Sequence, residues 1–377
     1  MKYRFLLFVL VFAAGLAKAA LPGVPAPPQL SGNGYILMDF TSASLLAAQN
    51  EHSRLEPASL TKIMTIYIAA QELARGSIHM DDMVTISEKA WRMEGSRMFI
   101  EVGKQVALHD LLRGIVIQSG NDASVALAEH ISGDESVFAQ LMNAQAQRIG
   151  MKDSHFSNAT GLPDEYTYTT PYDLALLTRA LISEFPDIYA LFAEKEYVFN
   201  GIKQHNRNGL LAGDASADGV KTGHTEAAGY CLVGSAERDG MRLISVIMGT
   251  ESDNARTTST RALMNYGFRF FESHKLYAAG QTLTEAAVFK GAESSVPIGL
   301  ANDLFVLIPR GRYQELTATV ELANPLIAPI SPGEGYGNVI LTLGDTELER
   351  IPVTALTAVP EAGIIGRSID SIRLMFE

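Results

Sequence analysis

Strand-like segments at both ends of a long helical stretch limit the fold more than any other feature of this 377-residue chain. Tyr35-Ile36-Leu37-Met38-Asp39-Phe40 reads as a strand, with residues 44–48 as its hairpin partner. Strands return after Gly219, at residues 229–237 and 241–248. They are joined through Arg238-Asp239-Gly240, whose Asp-Gly pair is a strong hairpin signal. Between the two groups the apolar spacing is helical. Residues 59–74 are apolar on most sides, which predicts a buried helix. Further helices are expected at 107–118, at 123–131 and from Thr170-Pro171, where threonine caps and proline takes the first turn. Another is expected at 255–272. The economical solution is α+β: an antiparallel sheet flanked by helices with an inserted helical lobe.

Past residue 276 the texture changes to short alternating runs separated by Gly, Pro and Asn, which predicts a small all-β domain over 277–358. Residues 359–377 fit an amphipathic helix with Ile365, Ile369, Ile372 and Phe376 on one face. Its ionised side chains nearly cancel, so a membrane-surface role would rest on apolar contact.

The N-terminus argues for export. Met1-Lys2-Tyr3-Arg4 is basic, residues 5–16 are apolar, and Ala17-Lys18-Ala19 fits a cleavage site, so residues 1–19 are expected to be a signal peptide and 20–33 a tail. The apolar run is shorter than the roughly 18 residues that span a bilayer. The single cysteine, Cys231, cannot form an internal disulfide and reads as a buried core residue. A net charge of −12 disfavours a nucleic-acid partner.

Three motifs carry chemistry. In Glu56-Pro57-Ala58-Ser59-Leu60-Thr61-Lys62, Ser59 and Lys62 share a face at the start of an apolar helix. A serine there has an unpaired N–H beside its hydroxyl, and a buried lysine can lose its charge and act as a base. Alone the pair also suits a capping serine and a solvent-reaching lysine. Gln118-Ser119-Gly120-Asn121-Asp122 adds a hydroxyl to relay a proton and an amide to hold a substrate amide. Asp218-Gly219-Val220-Lys221-Thr222-Gly223-His224 adds a second cation, a hydroxyl for a carboxylate and a glycine for close backbone approach. Ser31-Gly32-Asn33 and Ser252-Asp253-Asn254 imitate the second motif but read as a turn and a helix cap. No His-Glu-x-x-His spacing suggests a metal, and no cofactor is implied.

The ordered trio resembles the serine penicillin-recognising enzymes, with their Ser-x-x-Lys, Ser-x-Asn and Lys-Thr-Gly elements. The surrounding residues are similar to the low-molecular-mass penicillin-binding proteins that act as D-alanyl-D-alanine carboxypeptidases. His155-Phe156-Ser157-Asn158, Gly161-Leu162-Pro163, Ile308-Pro309-Arg310-Gly311 and the amphipathic end match the same family. The resemblance implies a D,D-peptidase domain at 34–276. It implies Ser59 as nucleophile, Lys62 as base and Ser119 as proton relay. Asn121, Lys221, Thr222, Gly223, His224 and Arg256 would bind substrate, with the oxyanion held by the N–H groups of Ser59 and His224. The implied partners are peptidoglycan stem peptides ending in D-Ala-D-Ala, β-lactam antibiotics and the periplasmic face of the inner membrane. Homodimerisation is left open. Two departures stand out: residues 91–99 form a shorter loop than in some relatives, and the tail is shorter too. Other readings are D,D-endopeptidase activity, a weak β-lactamase with Glu165 as its nearest deacylating candidate, or a non-catalytic wall-binding scaffold.

Overall fold

The computed structural model describes residues 24–375. The expected signal peptide, residues 20–23 of the tail, Phe376 and Glu377 lie outside the described residues. The chain opens with β1 (Gly34–Asp39) and β2 (Leu45–Gln49), followed by a 3₁₀ turn, Ala58–Thr61, and α1 (Lys62–Arg75). A short pair, β3 (Met83–Thr85) and β4 (Gln105–Ala107), brackets α2 (Glu88–Trp91). The helical lobe is completed by α3 (Leu108–Ile117), α4 (Asn121–Ser132), α5 (Glu135–Ile149), α6 (Pro171–Glu184) and α7 (Pro186–Tyr189). A second short pair, β5 (Glu196–Phe199) and β6 (Ile202–His205), and α8 (Leu210–Gly213) lead into β7 (Ala217–Thr225), β8 (Gly229–Arg238), β9 (Met241–Thr250) and α9 (Asp253–Phe270).

The sheet order is β2-β1-β9-β8-β7, antiparallel throughout. The N-terminal hairpin thus joins strands some 200 residues later, as the split strand pattern requires. Alternate side chains serve two cores. Ile36 and Met38 face the helical lobe, while Tyr35 and Leu37 pack with Leu263 and Met264 of α9. Because both faces of β9 are covered, it is an almost continuous apolar run. Asp239 (φ +50°) and Gly240 (φ +78°) are both left-handed, as a two-residue hairpin turn demands.

Two expectations need correction. The helix at 59–74 begins as an α-helix only at Lys62, and Ser59 sits in the 3₁₀ turn before it. Ala58 has φ +47°, which a helical start cannot accommodate. The helix expected to reach residue 272 ends at Phe270. Residues Phe271–Tyr277 instead form β10, paired with β13 (Leu304–Pro309). Arg310 closes the end of α9, its Nη2 donating to the carbonyls of Phe268 (2.9 Å) and Phe271 (3.1 Å). That contact explains the Ile-Pro-Arg-Gly motif.

The C-terminal strands are β11 (Thr282–Phe289), β12 (Ser295–Gly299), β14 (Leu316–Leu322), β15 (Leu326–Ile327), β16 (Gly335–Leu343) and β17 (Thr346–Ala355). They form a six-stranded sheet in the order β14-β16-β17-β12-β11-β15 around their own core of Val296, Ile298, Val339, Leu341 and Val353. A final helix, α10 (Ile364–Arg373), buries none of its residues. Among the described residues no helix is long and apolar enough to cross a membrane.

Candidate active site

All three motifs meet in one cleft of about 260 Å³, lined by Ser59, Ser96, Ser119, Arg207, Thr222, Gly223, His224, Tyr230 and Arg256. The 3₁₀ turn carrying Ser59 lies against β7. Gly223 permits this, since a Cβ there would stand 3.0 Å from the Pro57 carbonyl oxygen and 3.3 Å from the Ala58 Cβ. β7 is an edge strand, so its outer side can accept an extended peptide as a further strand.

Lys62 is fully buried. Its Nζ lies 2.7 Å from Asn121 Oδ1, 2.6 Å from the Thr160 carbonyl oxygen and 3.1 Å from Ser59 Oγ. A neutral amine has two N–H donors and one lone pair. The two short contacts are to pure acceptors, so a neutral Lys62 that donates to both would have its lone pair free for the Ser59 hydroxyl. Burial first, and the Arg207 charge second, bring the Lys62 pKa down to about 7, with Asp122 opposing. A lysine shifted this far can give up its proton near neutral pH, as a general base requires.

Lys221 is also buried, its Nζ donating to Ser119 Oγ and to the Thr222 carbonyl, both at 2.9 Å. Burial pushes its pKa well down, followed by the charges of Lys62, Arg207 and Arg256. Burial thus shifts both lysines toward their neutral forms, and their proximity disfavours two charges side by side.

Asn121 does more than its motif suggested. Its Oδ1 faces Lys62 and its Nδ2 donates to the Glu94 carbonyl (2.7 Å), which also fixes the orientation of the amide. One N–H remains for a substrate. Asp122, absent from the expected site, is buried and accepts from the backbone N–H groups of Met98 (3.0 Å), Phe99 (3.0 Å) and Ala123 (2.9 Å). It ties the 96–100 loop to the start of α4. Ser119 itself has φ +64°, so both hydroxyl motifs depend on left-handed backbone next to or at the serine.

The loop that supplies the Thr160 carbonyl is built on Asn158, whose Oδ1 accepts from the N–H groups of Thr160 (3.0 Å) and Gly161 (2.7 Å). Gly161 (φ +77°) touches the turn before the nucleophile, and a Cβ there would stand 1.8 Å from the Ala58 oxygen. Gly161→Ala must therefore move either Ala58-Ser59 or the Thr160 carbonyl. We expect penicillin labelling to slow by about a hundredfold and the protein to lose about 3 kcal/mol or more of stability, checked by labelling kinetics and a thermal melt. Unchanged labelling would show that the turn is not set by this contact.

Arg256 is buried at the first turn of α9, where Ser252 Oγ caps the helix by accepting from the Ala255 N–H (3.1 Å). Its Nη1 donates to the Gly223 carbonyl (3.0 Å), Nη2 pairs with Asp253, and the guanidinium lies 5.5 Å from the Tyr230 ring centroid. His224 is exposed, and its ring lies 4.0 Å from that of Tyr230, so it is not set as a triad base. Cys231 is buried, with its thiol pushed up to about 11 by desolvation, and is a core residue. Ser31 is exposed ahead of β1 and Glu165 is exposed outside the cleft lining. No cluster of metal-ligating side chains exists among the described residues. Sequence reasoning missed Ser96, Asp122 and Arg207, because none stands in a chemical motif of its own.

A serine and a buried lysine on one turn, backed by a second serine–lysine pair and an edge strand, define an acyl-transferring serine peptidase. The family model for D-alanyl-D-alanine carboxypeptidase matches residues 22–252, and that for the C-terminal domain of penicillin-binding protein 5 matches residues 271–361. The chain belongs to the D-alanyl-D-alanine carboxypeptidase family. It is 42% identical to D-alanyl-D-alanine carboxypeptidase DacA of Haemophilus influenzae over 91% of this chain and 89% of that one. It is 40% identical to D-alanyl-D-alanine carboxypeptidase DacC of Escherichia coli over 98% and 94%. The crystal structure of penicillin binding protein 5 from Haemophilus influenzae superposes with a TM-score of 0.88 at 41% identity, covering 89% of this chain and all of that one. Penicillin-Binding Protein D2 from Listeria monocytogenes, in its ampicillin-bound form, matches 65% of this chain and all of that one at 29% identity and a TM-score of 0.60.

Proposed function

We propose that this hydrolase removes the terminal D-alanine from peptidoglycan stem peptides through an acyl-enzyme at Ser59. The observation that carries the reading is the fully buried Lys62 Nζ standing 3.1 Å from Ser59 Oγ. Lys62 takes the hydroxyl proton as Ser59 Oγ attacks the carbonyl of the penultimate D-alanine. The developing oxyanion meets the N–H groups of Ser59 and His224. The proton that Lys62 took passes through the Ser119 hydroxyl, in the field of Lys221, to the departing D-alanine amine, so the leaving group goes out neutral and Lys62 is a free amine again. Water then attacks the ester, Lys62 takes its proton and hands it to Ser59 Oγ as the acid leaves, and Ser59 is restored. The Asn121 amide and the edge of β7 hold the peptide, while Thr222 and Arg256 stand near its terminal carboxylate. A β-lactam follows the first half of this path, but its leaving nitrogen stays tethered. The exposed Glu165 supplies no deacylating base, which favours slow release over β-lactamase activity. Intact-mass analysis and peptide mapping after treatment with penicillin should place one adduct on the Ser59 peptide; an adduct elsewhere would overturn the assignment.

The same reading places the protein after export on the periplasmic face of the inner membrane, held by α10. Ile364, Ile365, Ile369, Ile372 and Met375 are 49–82% exposed there. Asp370 Oδ2 accepts from the Lys290 N–H at 2.7 Å, docking the helix through its polar side and leaving the apolar side outward. Arg367 and Arg373 are paired with Glu361 and Asp370, so attraction to anionic lipid is weak. In co-sedimentation with vesicles, Ile365→Asn/Ile372→Asn should lower partitioning by about tenfold or more, since each buried isoleucine contributes about 1.5–3 kcal/mol. Raising the salt should change little. Binding that collapses in salt would instead indicate a charge-driven contact. A homodimer is compatible with these surfaces, and sedimentation velocity would decide it.

A further inference from the structure

Glu135 is the one buried glutamate among the described residues, and no step at Ser59 uses it. It opens α5, where an acid favours the helix dipole. An exposed carboxylate would do that equally well, and burying a charge is costly unless it is paired. The capping of α5 is also taken, since Asp134 Oδ1 accepts from the Ser136 N–H at 2.8 Å. The Glu135 carboxylate turns instead to two other segments. Its Oε2 pairs with Lys89 Nζ of α2 at 2.9 Å, and its Oε1 accepts from the Ala159 N–H at 3.1 Å.

Ala159 is held from the other side too. Thr65, fully buried one turn beyond Lys62 on α1, donates through Oγ1 to the Ala159 carbonyl at 2.7 Å. The next residue is Thr160, whose carbonyl accepts from Lys62 Nζ at 2.6 Å. Asn158 binds the Thr160 N–H, so every polar backbone group of Ala159 and Thr160 has a partner. Ala159 is fully buried. Without Glu135 its N–H has no acceptor, and without Thr65 its carbonyl has no donor. Either loss favours a turn of the segment that carries the Thr160 carbonyl with it.

We propose that Glu135 and Thr65 are positioning residues that clamp Ala159 and so aim the Thr160 carbonyl at Lys62. This rests on Lys62 acting as the base. A carbonyl acceptor favours the ammonium form over the amine, so misplacing it makes Lys62 lose its proton at lower pH. The charged groups that bear on Lys62 are Arg207, Asp122 and Lys221, and all three stay in place in the variants tested. The experiment is the pH profile of penicillin labelling, with rate constants read from time courses so that the fraction folded does not enter. The wild-type midpoint is expected near 7. Thr65→Val, which alters no charge, should lower it by about half a unit and slow the plateau by about fivefold, the usual weight of one hydrogen bond. Glu135→Ala should move both the same way. Glu135→Gln removes the same charge but keeps an acceptor, so it should lie closer to wild type than Glu135→Ala. Midpoints unmoved in Thr65→Val and Glu135→Ala would overturn the inference even if both variants melt earlier, because the contacts are then a brace alone. Equal shifts in Glu135→Gln and Glu135→Ala, with none in Thr65→Val, would overturn it as well, since they mark an effect of charge. A wild-type profile without a midpoint would remove the base assignment itself, and this inference with it.

Discussion

Replacing Ser59 by alanine is expected to abolish covalent labelling by a reporter penicillin and to reduce D-alanine release to background. Ser59 is half-buried in the 3₁₀ turn, with its Oγ 3.1 Å from Lys62 Nζ. Alanine removes the oxygen alone. Lys62 keeps its contacts to Asn121 and Thr160, and the fold keeps its cores, so the thermal melt should barely move. Ser119 is the other cleft serine beside a lysine, its Oγ accepting from Lys221 Nζ at 2.9 Å, and the same experiment reads whether it can substitute. Residual stoichiometric labelling in Ser59→Ala would mean that a different nucleophile does the chemistry.

The second large effect separates a base from a mere positive charge. Lys62→Arg keeps the cation but cannot supply a lone pair, because a guanidinium stays protonated at any workable pH. Acylation should fall by about 10²–10⁴-fold, the usual contribution of a positioned base, measured as the second-order rate constant for penicillin labelling. If the role of Lys62 were electrostatic, arginine would restore much of the rate. The side chain is fully buried, so the larger head group also strains its surroundings. Lys62→Met, similar in length and uncharged, should lose the rate equally while retaining the fold better.

The sheet and helical lobe were readable in the sequence because strands and helices differ in apolar period and because Asp239-Gly240 can only turn tightly. The serines and lysines were readable because their chemistry needs those residue types in those motifs. The remainder of the site was not. Thr160 contributes a backbone carbonyl to Lys62 across 98 positions of chain, and any residue type could carry that atom. Arg207 is one arginine between two asparagines in a loop, and only the packing of β6 and α8 brings it over the cleft. The left-handed backbone at Ala58 and Ser119 runs against residue preference and is imposed by tertiary contact, as with Gly161 under Ala58. For the same reason the start of α1 was placed three residues early: its apolar pattern continues through the 3₁₀ turn. The strand β10 was hidden because Phe271 and its neighbours extend the apolar spacing of α9, and only pairing with β13 sets them apart.

The central claim is that Lys62 accepts the Ser59 proton as a neutral amine near neutral pH, and the pH dependence of wild-type acylation by penicillin tests it most directly. Burial and Arg207 lower the Lys62 pKa to about 7, so the amine is protonated and inactive below that pH and free above it. The labelling rate should therefore fall about tenfold per pH unit below a midpoint near 7 and level off above it. A rate that is flat from about pH 5.5 to 9, or one still climbing toward the usual lysine range near 10.4, would contradict the account.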